Sequence, residues 1–191
     1  MDKPNIKKLI KNDLKKVKQE PMSNFTIEKY LKNPEIIEYS ELKKYKDIDE
    51  LLPNYNDYVI ILYRYDTGAH WVVALKQNNL IEHFCSYGSN PDQYYNEWAT
   101  QLTNMKLGQD EPYLSKLLNN CNYEVIYNPI KYQTIDNNIS SCGRHCLNRI
   151  FHMLNHDTNL NDYFKYMKRK KKELNKPYDD LVSIIVNRLN N

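Results

Sequence analysis

Three apolar segments separated by very short turns constrain the fold of this chain more than any other feature. They cover residues 58–63, 70–75 and 80–85, and each is rich in β-branched and aromatic side chains, as strands are. Residues 66–68 and 77–79 contain the Asp, Gly and Asn residues that favour turns. Strands joined by turns this short pair as antiparallel neighbours, so the sequence predicts a three-strand meander.

Helices and one more strand are predicted around this meander. The further strand covers residues 123–127, before Asn128 and Pro129. Capping residues and apolar periodicity predict helices at 25–31, at 47–52, from Asn90–Pro91 through Met105 and at 111–118. A further helix is predicted to start at Ser140 or Ser141, with a buried face formed by Cys142, Cys146, Ile150 and Leu154. The last predicted helix has an apolar face formed by Leu181, Ile184, Ile185 and Leu189. The order of elements predicts an α+β fold.

Length and composition are those of one ordinary domain. The chain has 191 residues, 41% of them hydrophobic, which is enough for one core. We expect a single domain over 1–191, with a basic N-terminal arm at 1–22 and a helical C-terminal extension at 157–191. The sequence has neither an apolar run of membrane-spanning length nor a recognisable signal peptide, so we expect an unsecreted protein without a membrane partner. A net charge of +3 does not by itself indicate nucleic acid.

The four cysteines are expected to be free thiols, because a chain of this size needs no disulfides. Zinc binding is the alternative, since Cys142, His145 and Cys146 lie within five residues. A structural zinc site needs a second pair of ligands at similar spacing, and neither Cys85 nor Cys121 has a close partner. We therefore predict no metal.

Cys142 combines features that activate a cysteine nucleophile. Ser140 or Ser141 would cap a helix that begins beside the thiol, and a helix N-terminus stabilises a thiolate. Gly143 would let a substrate backbone approach closely. A buried core cysteine is the alternative, because free thiols are commonly buried.

His70 and Gln133 could complete such a site. His70 follows the turn at Gly68 and precedes Trp71, which places an imidazole at a strand end beside an aromatic wall. Gln133 lies nine positions before Cys142, so its amide could join the Cys142 N–H in an oxyanion hole. Either residue alone would more commonly be structural or solvated, and the prediction rests on their combination.

This order of residues resembles the cysteine proteases that include adenain, the SUMO proteases and the maturation proteases of large DNA viruses and virophages. The matching segments span roughly residues 57–156 and are Gly68-Ala-His-Trp71, Phe84-Cys-Ser-Tyr-Gly88, Gln133 and Cys142-Gly-Arg-His-Cys146. Within that family, the chain is most similar to the capsid-maturation proteases of virophages such as Mavirus. The resemblance implies an adenain-like α+β fold, with a mixed central sheet flanked by helices.

The resemblance also implies a function. It is that of a cysteine endopeptidase that cleaves viral structural precursors at Gly-Gly-like or Gly-X sites during virion maturation. His70 and Cys142 would be catalytic, Gln133 would stabilise the oxyanion, and Trp71 and Gly143 would bind substrate. The expected partners are capsid precursor proteins, in the virion and in the cytoplasm or virus factory of the infected cell. We expect a monomer without a cofactor, and leave the need for a peptide or DNA activator open.

Cys85 stands where the family has an acidic or amide residue that orients the histidine, and we include it among the catalytic candidates. A neutral thiol cannot supply a comparable charge. Glu82 is nearby, yet strand alternation points it to the opposite face unless the strand is bulged. The third member of the site stays open between Cys85, Glu82 and none. The interval from Gln133 to Cys142 is also a few residues longer than in the family.

Other functions retain part of this pattern. Removal of ubiquitin-like modifiers from host conjugates uses the same chemistry, and an acyltransferase shares the thioester step. A decayed site would leave a capsid- or DNA-binding module with lysine-rich ends. The basic run 165–172 is interpreted first as a solvated helix face and second as a DNA contact.

Overall fold

A five-stranded mixed sheet lies at the centre of the protein, in a computed structural model that describes residues 13–93 and 97–188. Its strands are β1 (Glu35–Glu38), β2 (Tyr58–Tyr65), β3 (Gly68–Gln77), β4 (Leu80–Cys85) and β5 (Glu124–Tyr127), in the spatial order β1-β2-β3-β4-β5. The central three strands are antiparallel, and both outer strands pair in parallel with their neighbours. The predicted α+β fold with a mixed sheet is confirmed.

Helices cover both faces of the sheet. Residues 13–19 are helical, and the other helices are α1 (Asn24–Glu28), a 3-10 helix (Tyr39–Lys44), α2 (Ile48–Leu51), α3 (Gln101–Leu107), α4 (Tyr113–Asn119), α5 (Cys142–His156), α6 (Leu160–Leu174) and α7 (Tyr178–Arg188). Within the described ranges, none of these helices has the length and apolarity required to cross a membrane.

Strand β3 is buried on both sides and divides the core into two clusters. Trp71 and Val73 point into the cluster that contains α5, α6 and α7. Val72 and Ala74 alternate with them and point into the cluster that contains the 3-10 helix, α2 and α4. Burial on both faces explains why the strand is a continuous apolar run.

The predicted meander is confirmed, with β4 at the predicted bounds and β2 and β3 each longer by a few residues. Strand β1 was not predicted. It is a short edge strand with a glutamate at each end, and the carboxylate of Glu38 is held by the Arg64 guanidinium of β2 at 2.6 Å. Charged residues protect such edges from pairing with further strands. They also interrupt the apolar pattern by which strands are predicted from sequence, so β1 was missed.

The helix predicted to start at Asn90 and Pro91 is wrong. Residues 91 and 92 form a turn, and the next α-helix that the structure describes is α3, which begins after Thr100 and is capped by the Thr100 side chain. Asp92 has a φ of 60°, which a right-handed helix does not allow. The hydroxyls of Tyr39 and Tyr63 donate to its carboxylate at 2.9 and 2.6 Å. These long-range hydrogen bonds override the local helix signals.

The apolar stripe assigned to that helix is not a buried face. Tyr94 and Tyr95 lie outside the described residues, and Trp98 lies in a turn. Leu102 and Met105 are in α3, but their side chains are 61% and 59% exposed. In α5, Leu154 is likewise 44% exposed, whereas Cys142, Cys146 and Ile150 are buried as predicted.

Candidate active site

A cleft with a volume of about 290 Å³ opens beside the start of α5. His70 and Trp71 of β3 line one part of it, Gln133 of the loop after β5 lines another, and Cys142 lies at the first position of α5. The structure therefore brings four of the sequence-predicted residues to one cavity from three separate segments.

Cys142 is almost fully buried at the N-terminus of α5. Burial raises the pKa of its thiol above the usual value, because a thiolate loses its hydration there. Hydrogen bonds from the backbone N–H groups of Trp71 and Gly143 and the charge of Arg144 oppose this rise without cancelling it. In the ligand-free site Cys142 is thus a thiol, despite its position at a helix N-terminus.

His70 is 2% exposed and is held between aromatic rings. Its imidazole stacks on Tyr87 with ring centroids 4.7 Å apart, and the edge of Trp98 lies 5.3 Å away. Burial lowers the pKa of His70 to about 3, and repulsion from His83 and His145 contributes to a smaller extent. The imidazole is therefore neutral at neutral pH, which is the form that can accept a proton.

The Cys85 thiol lies next to the Nε2 atom of His70. Its Sγ atom lies 3.3 Å from Nε2, at the end of β4 and with no exposed surface. Burial raises the pKa of this thiol to about 11, so it is uncharged at neutral pH. The position that the resemblance assigns to a histidine-orienting group is thus filled by a neutral sulfur.

Glu82 does not face His70. Its two carboxylate oxygens accept hydrogen bonds from the Nε and Nη2 atoms of Arg149, at 2.8 and 2.6 Å, on the α5 side of the sheet. Both side chains are fully buried. Pairing between β3 and β4 is continuous from Glu82 to Cys85, so the bulge that would turn Glu82 toward the imidazole is not formed.

The side-chain amide of Gln133 has a fixed orientation. Its Oε1 atom accepts a hydrogen bond from the Ser86 hydroxyl at 2.8 Å. Its Nε2 atom donates to the Tyr87 hydroxyl at 3.1 Å and to the Ile139 carbonyl at 3.3 Å. Tyr87 thereby links Gln133 to the His70 ring on which it stacks. The sequence placed Tyr87 in the matching segment Phe84-Cys-Ser-Tyr-Gly88 but indicated no role for its side chain.

The segment 18–24, which we call the N-terminal strap, forms a wall of the cleft that sequence reasoning missed. The Trp71 indole donates to the Met22 carbonyl at 2.9 Å, and Arg144 donates to the Glu20 carbonyl at 2.8 Å. Lys18 forms an ion pair with Asp180 of α7 at 2.6 Å. Pro21, which ends the preceding helical turn, was the available sequence signal for an extended segment.

Gly143 lies beneath this strap. A Cβ atom at this position would be 3.0 Å from Met22 Cβ and 3.2 Å from Trp71 Cδ1, so the glycine allows the strap and the indole to pack closely. The structure thus gives Gly143 a packing role, and the predicted contact with substrate stays a prediction.

The zinc alternative has no geometric support. His145 directs Nε2 toward Asp179 at 3.2 Å, whereas the Cys146 thiol donates to the Trp71 carbonyl at 3.4 Å. Within 13–93 and 97–188 there is no group of three or more His, Cys, Asp or Glu side chains that could hold a metal ion.

The fold and the cleft define an α+β protein with a five-stranded mixed sheet and a buried cysteine and histidine at one cavity. Its sequence is 33% identical over 178 residues to a Sputnik virophage protein with the name "Uncharacterized protein V9", and the match covers 91% of this chain and 98% of that protein. The chain therefore belongs to the same virophage protein family. No protein-family model and no solved structure matches it.

Proposed function

We propose that this protein is a cysteine endopeptidase in which Cys142 is the nucleophile and His70 the general base. The observation that carries the proposal is that His70, Gln133 and Cys142, from three distant parts of the sequence, line one cleft. A nucleophile, a base and an amide donor at one cavity match the requirements of acyl transfer through a thioester.

The protonation states favour general-base catalysis over a preformed ion pair. Burial keeps the His70 imidazole neutral and the Cys142 thiol protonated in the ligand-free site. As Sγ bonds to the substrate carbonyl carbon, the thiol proton moves to His70 and the carbonyl π electrons move to oxygen. Collapse of this intermediate breaks the C–N bond, and the leaving amine takes the proton from His70. Water then hydrolyses the thioester with His70 again as base.

Gln133 is suited to stabilise the oxyanion together with the N–H of Cys142. Ser86 holds Oε1 and keeps the amide nitrogen directed toward Tyr87 and Ile139. A substrate oxygen would replace one of these two acceptors. Because the amide is oriented before substrate arrives, little reorganisation is needed as charge develops.

Kinship with a virophage protein favours substrates that are themselves viral, and we propose structural precursors cut during virion maturation, in the virion and the infected cell. Trp71 and Met22 line the cleft together with Cys142, and the Trp71 indole is fixed by its hydrogen bond to the Met22 carbonyl. Bulky walls beside the nucleophile favour substrate residues with small side chains, which is consistent with Gly-Gly-like or Gly-X sites.

The test is to incubate the protein with capsid precursors of its own virus and map new termini by mass spectrometry. We expect cleavage by wild type and by Cys121→Ala, and none by Cys142→Ala. His70→Ala should reduce the rate about 10²–10⁴-fold. Cleavage of ubiquitin-like conjugates but not capsid precursors would support modifier removal instead. A Cys142→Ala variant that cleaves, or labels with a thiol-directed peptide electrophile elsewhere in the cleft, would contradict the assignment.

A further inference from the structure

A single buried carboxylate connects three segments behind the cleft. Asp179, the second residue of α7, is 1% exposed. One of its oxygens, Oδ1, accepts from the Ser141 hydroxyl at 2.6 Å and lies 3.2 Å from His145 Nε2. The other, Oδ2, accepts from the backbone N–H and the hydroxyl of Thr134, at 3.1 and 2.9 Å. No catalytic step uses Asp179.

The residues that Asp179 contacts are the immediate neighbours of the proposed oxyanion donors. Ser141 precedes Cys142, and Thr134 follows Gln133. His145 lies one turn after Cys142 in α5. One carboxylate is thus a single residue away from both groups that must converge on the substrate oxygen.

The Ser141 side chain makes its hydrogen bond to Asp179 in place of a capping hydrogen bond within α5. It occupies the N-cap position of α5, where a serine normally accepts a hydrogen bond from the first turn. Here the side chain makes no capping hydrogen bond, and its hydroxyl donates to Asp179 instead. The start of the nucleophile helix is therefore held by α7 rather than by its own cap.

The carboxylate is well suited to this role. Burial acts to raise the pKa of Asp179, but the hydrogen bonds from His145, Ser141 and Thr134 outweigh burial and hold the pKa below its usual value. Burial lowers the pKa of His145 and so favours a neutral ring, and because the Asp179 carboxylate can only accept, we assign the ring proton to Nε2. Hydrogen bonds to a charged acceptor are stronger than neutral ones, so four of them at a buried carboxylate restrict the groups that donate them.

We propose that Asp179 is a positioning residue for the reaction, setting the separation between the Cys142 N–H and the Gln133 amide through Ser141 and Thr134. This inference rests on the proposed protease function. A displacement of about 1 Å at a reacting group can cost on the order of 10²-fold in rate. Helix α7 of the C-terminal extension is then part of the catalytic apparatus, rather than an appendage to it.

Steady-state kinetics on a Gly-X peptide can test this, with three variants of the full chain. Asp179→Ala should lower kcat about 10²-fold with KM little changed, since binding surfaces stay in place. Asp179→Asn should recover to within about 10-fold of wild type, because its Oδ1 can serve Thr134 while its Nδ2 donates to Ser141 and to His145, whose neutral ring can adopt the tautomer with Nε2 unprotonated. Asp162→Asn, an exposed acid-to-amide change on α6, is the control and should match wild type.

Folded fraction is monitored by circular dichroism in each variant. If Asp179→Ala does not fold, Ser141→Ala and Thr134→Val each remove one hydrogen bond and should each lower kcat about 10-fold. A folded Asp179→Ala variant, or a folded Ser141→Ala and Thr134→Val pair, with wild-type kcat overturns the inference. A Cys142→Ala variant assayed in parallel separates the two claims, because its retained activity would overturn the protease assignment itself.

Discussion

The Nε2 atom of His70 lies 3.3 Å from the Sγ atom of Cys85, which brings the end of β4 into contact with the proposed catalytic base. With a pKa of about 11, the Cys85 thiol is neutral and cannot stabilise an imidazolium by charge. Catalysis should then depend mainly on Cys142 and His70.

We expect Cys85→Ala to reduce kcat far less than His70→Ala, whose loss should be about 10²–10⁴-fold. Cys85→Asp or Cys85→Asn should preserve or raise kcat, because each offers an oxygen acceptor to Nε2. The measurement is peptide turnover by the folded variants. If Cys85→Ala is as damaging as His70→Ala, the thiol takes a direct part in the reaction.

Removing the Gln133 amide should lower kcat more than releasing it from its hydrogen-bond partner. Gln133→Ala should lower kcat about 10²–10³-fold with little change in the free energy of unfolding, as for other oxyanion donors. Ser86→Ala should lower kcat less, since it releases the amide without removing it. Equal kcat in Gln133→Ala and wild type would place the oxyanion donor elsewhere.

The buried Glu82–Arg149 pair should matter for stability, not chemistry. Glu82→Gln should lower the free energy of unfolding by about 3–5 kcal/mol, because it leaves Arg149 buried without its counter-charge. Glu38→Gln, at the exposed pair with Arg64, should cost about 1 kcal/mol or less and serves as the control. Urea unfolding measures both. A kcat per folded molecule that falls in Glu82→Gln would revive Glu82 as a catalytic candidate.

Stability should fall on mild acidification. Burial lowers the pKa of His70 to about 3 and of His83 to about 4, whereas both titrate near ~6.5 when unfolded. Below pH ~6.5 the unfolded chain binds more protons than the folded one, so stability is fully present above that pH and is lost progressively toward pH ~4.

Urea unfolding at pH 7.5, 6 and 5 checks this window, in which carboxylates contribute little. We expect His83→Gln, if folded, to show a smaller loss of stability between these pH values. A free energy of unfolding that is constant across the series would contradict the prediction.

DNA binding, if it occurs, should use the lysine-lined groove between α6 and α7, whose walls include Lys168, Lys171 and Lys172. We expect weak binding that falls steeply with salt, because phosphate contacts release counterions. Lys171→Glu should weaken it. Lys165→Glu should do so less, because Lys165 lies outside the groove and is paired with Asp162. Absence of binding in fluorescence anisotropy at ~50 mM salt would identify the basic run as a solvated helix face.

Local sequence patterns were sufficient to predict the strands that carry the candidate site. They were insufficient where contacts between distant residues determine the backbone conformation or the role of a side chain. Short turns and apolar runs predicted β3 and β4, and with them His70 and Cys85. The helix predicted from Asn90 failed because Asp92 is held in a turn by two tyrosines distant in sequence. Asp179 carried no local sign of its role, since its partners lie more than 30 residues before it.

The ion pair between Lys18 and Asp180 has a bearing on timing during synthesis. Trp71 of β3 and Arg144 of α5 hold the strap by hydrogen bonds, whereas this further anchor is in α7, which is synthesised after the rest of the described fold. A nascent chain that has already exposed Cys142 and His70 still lacks this anchor. The strap therefore gains its contact with α7 only after the strands and the helix that carry His70 and Cys142 have been synthesised.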